Sequence, residues 1–184
     1  EALIGKVLHD THRVVRMIGQ GGMGAVYEAE HVRLPSKRFA IKVLLAQVLD
    51  APNIHKRFWR EAKIASDIGH PNIIEVVDYY DTDDGCPCMV MELLTGCDLQ
   101  AVLAERGALT PKEARPILAQ VCSALQATHD AGVVHRDLKP ANIFLTSDGS
   151  ESVMVKLLDF GISKIRDART KLTDDRAILG TPHY

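Results

Sequence analysis

The chain has 184 residues, is 46% hydrophobic and carries a formal charge of −2. That is enough apolar material for one domain, or one domain of two small lobes, and with both signs of charge interspersed there is no basic stripe for nucleic acid or an anionic membrane surface. No apolar run reaches the roughly 18 residues that span a bilayer. Glu1-Ala2-Leu3-Ile4 lacks the basic start of a secretory signal, so the cytoplasm is the expected compartment, with a membrane tether elsewhere in a parent protein left open. The sequence begins without methionine and stops at Gly180-Thr181-Pro182-His183-Tyr184, which reads as a piece of a longer reading frame. Cys86, Cys88, Cys97 and Cys122 match no zinc spacing and are expected to be small apolar fillers.

In chain order, His12 to Ile18 alternates as a strand, and Gly19-Gln20-Gly21-Gly22-Met23-Gly24 is a turn that only glycines make easily. Ala25 to Glu30 returns as a strand, with Val26, Glu28 and Glu30 on one face and Tyr27 and Ala29 on the other. The glycines clear side chains so that backbone N–H groups can approach phosphate oxygens. A dinucleotide-binding turn would need a helix next and an acid about 20 residues on. Here a strand follows, and Lys42 occupies that region. Phe39 to Leu44 is an apolar strand holding this lysine, which needs a partner or a ligand because an isolated buried ammonium is costly. Asn53 to Ile68 has helical periodicity, with Phe58, Ala62, Ala65 and Ile68 on one stripe and Glu61 on the same inward side. Glu61 is the expected partner of Lys42; the alternative is a solvated Glu61 that pairs with Arg57 or Arg60.

His70-Pro71-Asn72 ends that helix, since the residue before proline avoids the helical region. Strands are expected from Ile73 to Tyr80 and from Cys88 to Leu93. The acidic turn Asp81 to Gly85 between them lacks the spaced ligands of an EF-hand and is expected to be a solvated hairpin. Gly96 to Leu99 opens a short helix with Asp98 as a possible cap. Thr110-Pro111-Lys112-Glu113 is a stronger start: a capping Thr, Pro at the first helical position and Glu in the capping-box slot. This helix is expected to reach about Ala131, with Ala114, Ile117, Leu118, Val121 and Leu125 as its core stripe, a slight kink at Pro116 and Gly132 closing it.

Then comes His135-Arg136-Asp137-Leu138-Lys139-Pro140-Ala141-Asn142, and after a hairpin of Ile143 to Leu145 and Val153 to Leu158, Asp159-Phe160-Gly161. The layout suits phosphoryl transfer. Asp137 can accept a hydroxyl proton, Lys139 can neutralise a transferring phosphoryl group, and Asn142 and Asp159 supply the hard oxygen ligands that Mg²⁺ prefers.

These residues match the catalytic loop H-R-D-L-x-x-x-N and the D-F-G of protein kinases without a mismatch, and Phe39-Ala40-Ile41-Lys42 matches V-A-I-K with Phe for Val. The chain resembles a bacterial serine/threonine protein kinase of the eukaryotic-like type, stopping before A-P-E. The resemblance implies an α+β, bilobal fold: an N-lobe at 1–94 with an antiparallel sheet and one helix, and an incomplete, mainly helical C-lobe at 95–184. It implies ATP and Mg²⁺ as cofactors, and serine and threonine hydroxyls of proteins as substrates. On the same resemblance Gly19, Gly21, Gly22 and Gly24 cover the phosphates, and Lys42, held by Glu61, reaches the α- and β-phosphates. Val26, Ala40 and Phe144 enclose adenine, Phe144 standing where the family often has Leu. Met91 backs that pocket, backbone groups of Glu92 and Leu94 bond the purine edge, and Asp98 meets the ribose. Asp137 and Lys139 act on the transferred group, and Asn142 and Asp159 hold Mg²⁺. Arg136 is implied to meet a phosphothreonine, with Thr170 or Thr173 as the autophosphorylation site, and Lys139 with Gly180-Thr181-Pro182 indicates the serine/threonine class. The competing reading is a catalytically silent nucleotide-binding scaffold, against which stands the retention of Lys42, Asp137, Asn142 and Asp159.

Overall fold

The computed structural model describes residues 3–22, 24–45, 49, 54–146 and 153–159. Met23, Asn53, Phe160, Gly161, Thr170, Thr173 and the 180–184 run lie outside the described residues. The chain divides into two compact units, Glu1–Asp67 with Ile74–Leu94, and Ile68–Ile73 with Thr95–Tyr184.

The first unit is built on strands β1 (Val7–Leu8), β2 (His12–Gln20), β3 (Gly24–His31), β4 (Leu34–Leu44), β5 (Val76–Asp81) and β6 (Pro87–Glu92), with helix α1 (Ile54–Ile68). The strands form one antiparallel sheet in the order β1-β2-β3-β4-β6-β5. Period-two alternation turns Val14, Tyr27, Ala29, Ile41, Val43, Cys88 and Val90 to a common core with Leu8 and Tyr80. Burying a side chain the size of Ile41 or Val90 stabilises the unit by about 1.5–3 kcal/mol. α1 buries Ile54, Phe58, Glu61, Ala62 and Ala65. It stops because Gly69 adopts φ +56°, the left-handed conformation that closes helices, with Pro71 behind it. β5 begins later than expected, at Val76, because Ile73 instead makes a parallel bridge to Leu157 in the second unit. The acidic turn is closed by Thr82, whose N–H donates to Cys86 O (2.8 Å) and whose Oγ1 accepts from Cys86 N (2.9 Å).

The second unit holds a small antiparallel sheet of β7 (Gly96–Asp98), β8 (Ile143–Thr146) and β9 (Met154–Leu157) with helices α2 (Leu99–Arg106) and α3 (Pro111–Asp130). Gly96 to Asp98 is therefore a strand and not the first turn of a helix. Gly96 pairs with Thr146 at φ +141°, and a Cβ there would collide with the Leu145 carbonyl. α2 starts only at Leu99, and Asp98 Oδ1 accepts from Ala101 N (2.8 Å), so the predicted cap is made. α3 carries the full capping box between Thr110 and Glu113. Its core stripe is Ile117, Val121, Ala124 and Thr128. Leu118, expected inward, is 57% exposed, since one step along a helix from Ile117 rotates it by about 100°. Among the described residues no helix is long and apolar enough to cross a membrane. All four cysteines are free, but Cys97 and Cys122 are exposed and only Cys88 is fully buried, so the filler reading fails for the first two.

Candidate functional site

In the first unit, sheet register brings together residues that are distant in sequence. β4 pairs Lys42 with Val26 of β3 on one side and Met89 of β6 on the other, and pairs Ala40 with Glu28 and Met91. Directly paired residues of antiparallel strands share a face. Val26, Ala40, Lys42 and Met91 thus line the same side of the sheet, away from the Ile41 and Val43 core. α1 turns Glu61 towards this lysine: Lys42 Nζ lies 3.7 Å from Glu61 Oε1, with the Glu61 side chain 8% exposed. Glu61 is buried and the Lys42 side chain is only 18% exposed, so each charge is largely withdrawn from water and favours the other as partner. Glu92 is anchored close by, its backbone N–H donating to Glu75 O (3.1 Å) and its Oε1 accepting from Glu75 N (2.9 Å). Leu94 is half-buried at the end of the unit.

The glycine turn differs from expectation. Gly19, Gly21, Gly22 and Gly24 all avoid positive φ, so their freedom to adopt left-handed backbone is not what the turn uses. A Cβ on Gly19, Gly21 or Gly22 would meet nothing within 4 Å, which leaves a bare stretch of backbone, tied at its base by Gly21 N donating to Gly24 O (2.9 Å). Gly24 is a different case. A Cβ there would sit 2.5 Å from Val43 O, so the close approach of β3 to β4 demands glycine.

In the second unit the loop around Asp137 is organised by His135, which is 2% exposed. Burial holds its pKa below the ordinary 6.5 and keeps the ring neutral. Nε2 lies 3.1 Å from Leu158 O, which can only accept, so Nε2 carries the proton and Nδ1 is the acceptor that faces Asp137 N at 3.4 Å. Arg136 takes the left-handed region at φ +62°, and Asp137 N closes the turn on His135 O (2.9 Å). Lys139 Nζ sits 3.0 Å from Asp137 Oδ2. Asn142 ends a 3₁₀ turn, Pro140–Asn142, and its Nδ2 donates to Asp137 O (2.9 Å) and to Asp137 Oδ2 (3.3 Å). With both amide hydrogens committed there, Oδ1 is the atom that Asn142 presents to a cation.

Asp159 joins this group through the backbone. Leu158 N donates to Asn142 O (2.9 Å), and Asp159 follows at φ +45°, a conformation that costs a non-glycine residue about 1 kcal/mol or more. Such strain at two positions, Arg136 and Asp159, falls where the chemistry was expected. Phe144 and Asp98 are paired residues of β8 and β7, so these two expected nucleotide contacts share one face of the small sheet. Among the described residues no cluster of three or more His, Cys, Asp or Glu is arranged to hold a metal. A carboxylate held between a lysine and an amide is equipped to accept a proton beside a charged phosphoryl group.

The protein kinase domain family matches this chain over residues 12–184. The chain belongs to that family. Serine/threonine-protein kinase Pkn1 of Myxococcus xanthus is 46% identical to the kinase domain over 175 residues, 94% of this chain and 24% of that protein. Probable serine/threonine-protein kinase PknB of Corynebacterium glutamicum is 41% identical over 182 residues, 97% of this chain and 27% of that protein. The chain thus spans about a quarter of the length of these relatives. The crystal structure of the Mycobacterium tuberculosis PknI kinase domain is similar at a TM-score of 0.73 and 36% identity, covering 86% of this chain and 62% of that one. Rad53 residues 1–466, solved in complex with AMP-PNP, matches at a TM-score of 0.70 and 31% identity, covering 83% of this chain and 38% of that one.

Several residues that shape this kinase domain escaped sequence reasoning. Gly69 ends α1, Gly96 admits β7 to the small sheet, and Asn72 and Gln120 hold β9. A signal for Gln120 existed: a polar amide beside Ile117, Val121 and Ala124 on the buried stripe of α3.

Proposed function

We propose that this kinase domain, within its parent protein, transfers the γ-phosphoryl of ATP to serine or threonine hydroxyls of proteins, residues 1–94 handling the nucleotide and residues 95–184 the transfer. The observation that carries this reading is Asp137, whose Oδ2 lies 3.0 Å from Lys139 Nζ and 3.3 Å from Asn142 Nδ2 in a loop set by buried, neutral His135. In this role Asp137 takes the proton of the attacking hydroxyl, and Lys139 balances the charge that develops on the transferred group.

Lys42, kept in place by Glu61, binds the α- and β-phosphates; bare backbone at Gly19, Gly21 and Gly22, with Gly24 at its base, covers them. In the first unit Val26, Ala40 and Met91 share the face that receives adenine, and backbone groups of Glu92 and Leu94 bond its edge; in the second unit Phe144, an adenine contact, and Asp98, a ribose contact, share one face of the small sheet. The nucleotide analogue bound by Rad53 supports ATP as the donor, and ATP accords with a cytoplasmic setting. The oxygen donors Asn142 and Asp159 fit Mg²⁺, which would neutralise phosphate charge when bound. Thr170 or Thr173 is the autophosphorylation site, its phosphate docking on Arg136.

The test is transfer of labelled phosphate from ATP to a generic serine/threonine substrate by the parent protein. Asp137→Asn is expected to cut the rate by about 10²–10⁴-fold, and phosphopeptide mapping of the active protein is expected to find Thr170 or Thr173 modified. Undiminished turnover by the Asn variant refutes the base assignment, and two unmodified threonines refute the docking role.

A further inference from the structure

Among the described residues β9 pairs with a strand, β8, along one edge only, yet Val155 and Leu157 are completely buried, so the N–H and C=O groups on its other edge need partners. The partners come from outside the sheet. Gln120 of α3 donates from Nε2 to Val153 O (2.9 Å) and accepts at Oε1 from Val155 N (2.9 Å). Asn72 donates from Nδ2 to Val155 O (2.8 Å), and its own carbonyl accepts from Leu157 N (2.8 Å), beside the bridge between Ile73 and Leu157. The alternate residues 153, 155 and 157 are thus engaged as a neighbouring strand would engage them.

The two amides also lock each other. Asn72 Nδ2 donates to Gln120 Oε1 (2.9 Å) and Gln120 Nε2 donates to Pro116 O (3.3 Å), so Gln120 accepts twice and donates twice. Turning its amide over would break all four bonds. Beyond Leu157 there is no slack: Leu158 is held at N by Asn142 O and at O by His135, and Asp159 comes next. A slip of one residue in β9 would displace Asp159 by about 3.3 Å.

We propose that Gln120, supported by Asn72, is a positioning residue for Asp159: its carboxamide stands in for a strand at the edge of β9 and sets where the metal-binding carboxylate falls. This rests on the reading of Asp159 as a metal ligand. The test uses Mn²⁺ as the probe, titrated by electron paramagnetic resonance into this chain with AMP-PNP, together with AMP-PNP affinity measured in EDTA. Gln120→Leu is expected to weaken Mn²⁺ binding by about 10–100-fold while metal-free AMP-PNP affinity stays constant, with faster hydrogen exchange at the Val155 and Leu157 amides. Should Gln120→Leu fail to fold, Gln120→Glu keeps the acceptor for Val155 N and sets an oxygen against Val153 O and Pro116 O; the same split is expected.

Unchanged Mn²⁺ affinity in a folded variant overturns the proposal, as does an equal loss of metal-free nucleotide binding, which would mark general damage. If the parent chain binds no Mn²⁺, the ligand role of Asp159 has failed instead. The exchange measurement then decides the hold on β9, lost protection at Val155 and Leu157 supporting it and unchanged protection overturning it.

Discussion

Gly24→Ala places a methyl group 2.5 Å from Val43 O, well inside the separation that carbon and oxygen tolerate without a shift. The obstacle is backbone, and no rotamer relieves it. Either β4 moves away, loosening the register in which Gly24 faces Leu44 and Val26 faces Lys42, or β3 bends. Overpacking of this kind costs about 1–3 kcal/mol, and losing two ladder hydrogen bonds at about 1 kcal/mol each gives the same size, so about 2 kcal/mol is expected. For a chain of this length that lowers the melting temperature by about 4–8 °C. Gly21→Ala is the control, since its Cβ would meet nothing within 4 Å and its φ is not positive. Its stability is expected to change by less than about 0.5 kcal/mol. Nucleotide affinity should behave in the opposite sense at Gly21: alanine there thickens a bare backbone proposed to cover phosphate, so ATP binding weakens while the melt stays put. Thermal unfolding followed by circular dichroism, with ATP titrations on both variants, measures the two effects. A Gly24→Ala protein as stable as its parent, or a Gly21→Ala protein that melts several degrees lower, would refute the assignment of these glycines.

Two further outcomes follow from groups already described. Glu61→Gln removes the carboxylate 3.7 Å from Lys42, and in the parent protein the rate of transfer at low ATP is expected to fall by about 10–100-fold; an unaltered dependence on ATP would show that Lys42 does not need this partner. His12 is buried between Tyr80, Phe39 and His31, with His9 and Asp78 also acting on it; burial is the largest cause that lowers its pKa from 6.5. The unfolded imidazole therefore takes up its proton at a higher pH than the folded one. Its contribution to stability is complete above about pH 6.5 and is lost as pH falls through the folded pKa, so the melting temperature should fall as pH is lowered from about 6.5 and fall less in His12→Gln; equal slopes in both proteins would rule His12 out.

Much of the fold was legible because it depends on local chemistry. Alternation predicted β2 and β3, an apolar run predicted the Phe39–Leu44 part of β4 though not its start at Leu34, a capping Thr with Pro and Glu behind it predicted the start of α3, and the need of a buried ammonium for a counter-charge, with an inward carboxylate on the next helix, predicted Lys42 with Glu61. The errors share a cause. Gly96 to Asp98 looked like a helix start because Asp98 does cap α2, but whether the preceding residues extend as a strand depends on β8 lying alongside, more than 40 residues later. Ile73 was placed at the start of the strand that follows for the same reason, whereas that strand begins at Val76 and Ile73 bridges to Leu157. Leu118 and Ile117 are equally apolar, and the sequence cannot say which azimuth of α3 finds a neighbour.

The identities of Asp137, Lys139, Asn142 and Asp159, and the chemistry they can perform, were set by the sequence alone, since ionisable groups and hard oxygen ligands are properties of the residues themselves. Their geometry belongs to the tertiary structure. The proton on Nε2 of His135 and the placing of the Asn72 and Gln120 amides along β9 arise from hydrogen bonds between segments remote in the chain. Such bonds leave no periodic trace, because each joins one side chain to whatever backbone the fold brings within about 3 Å of it.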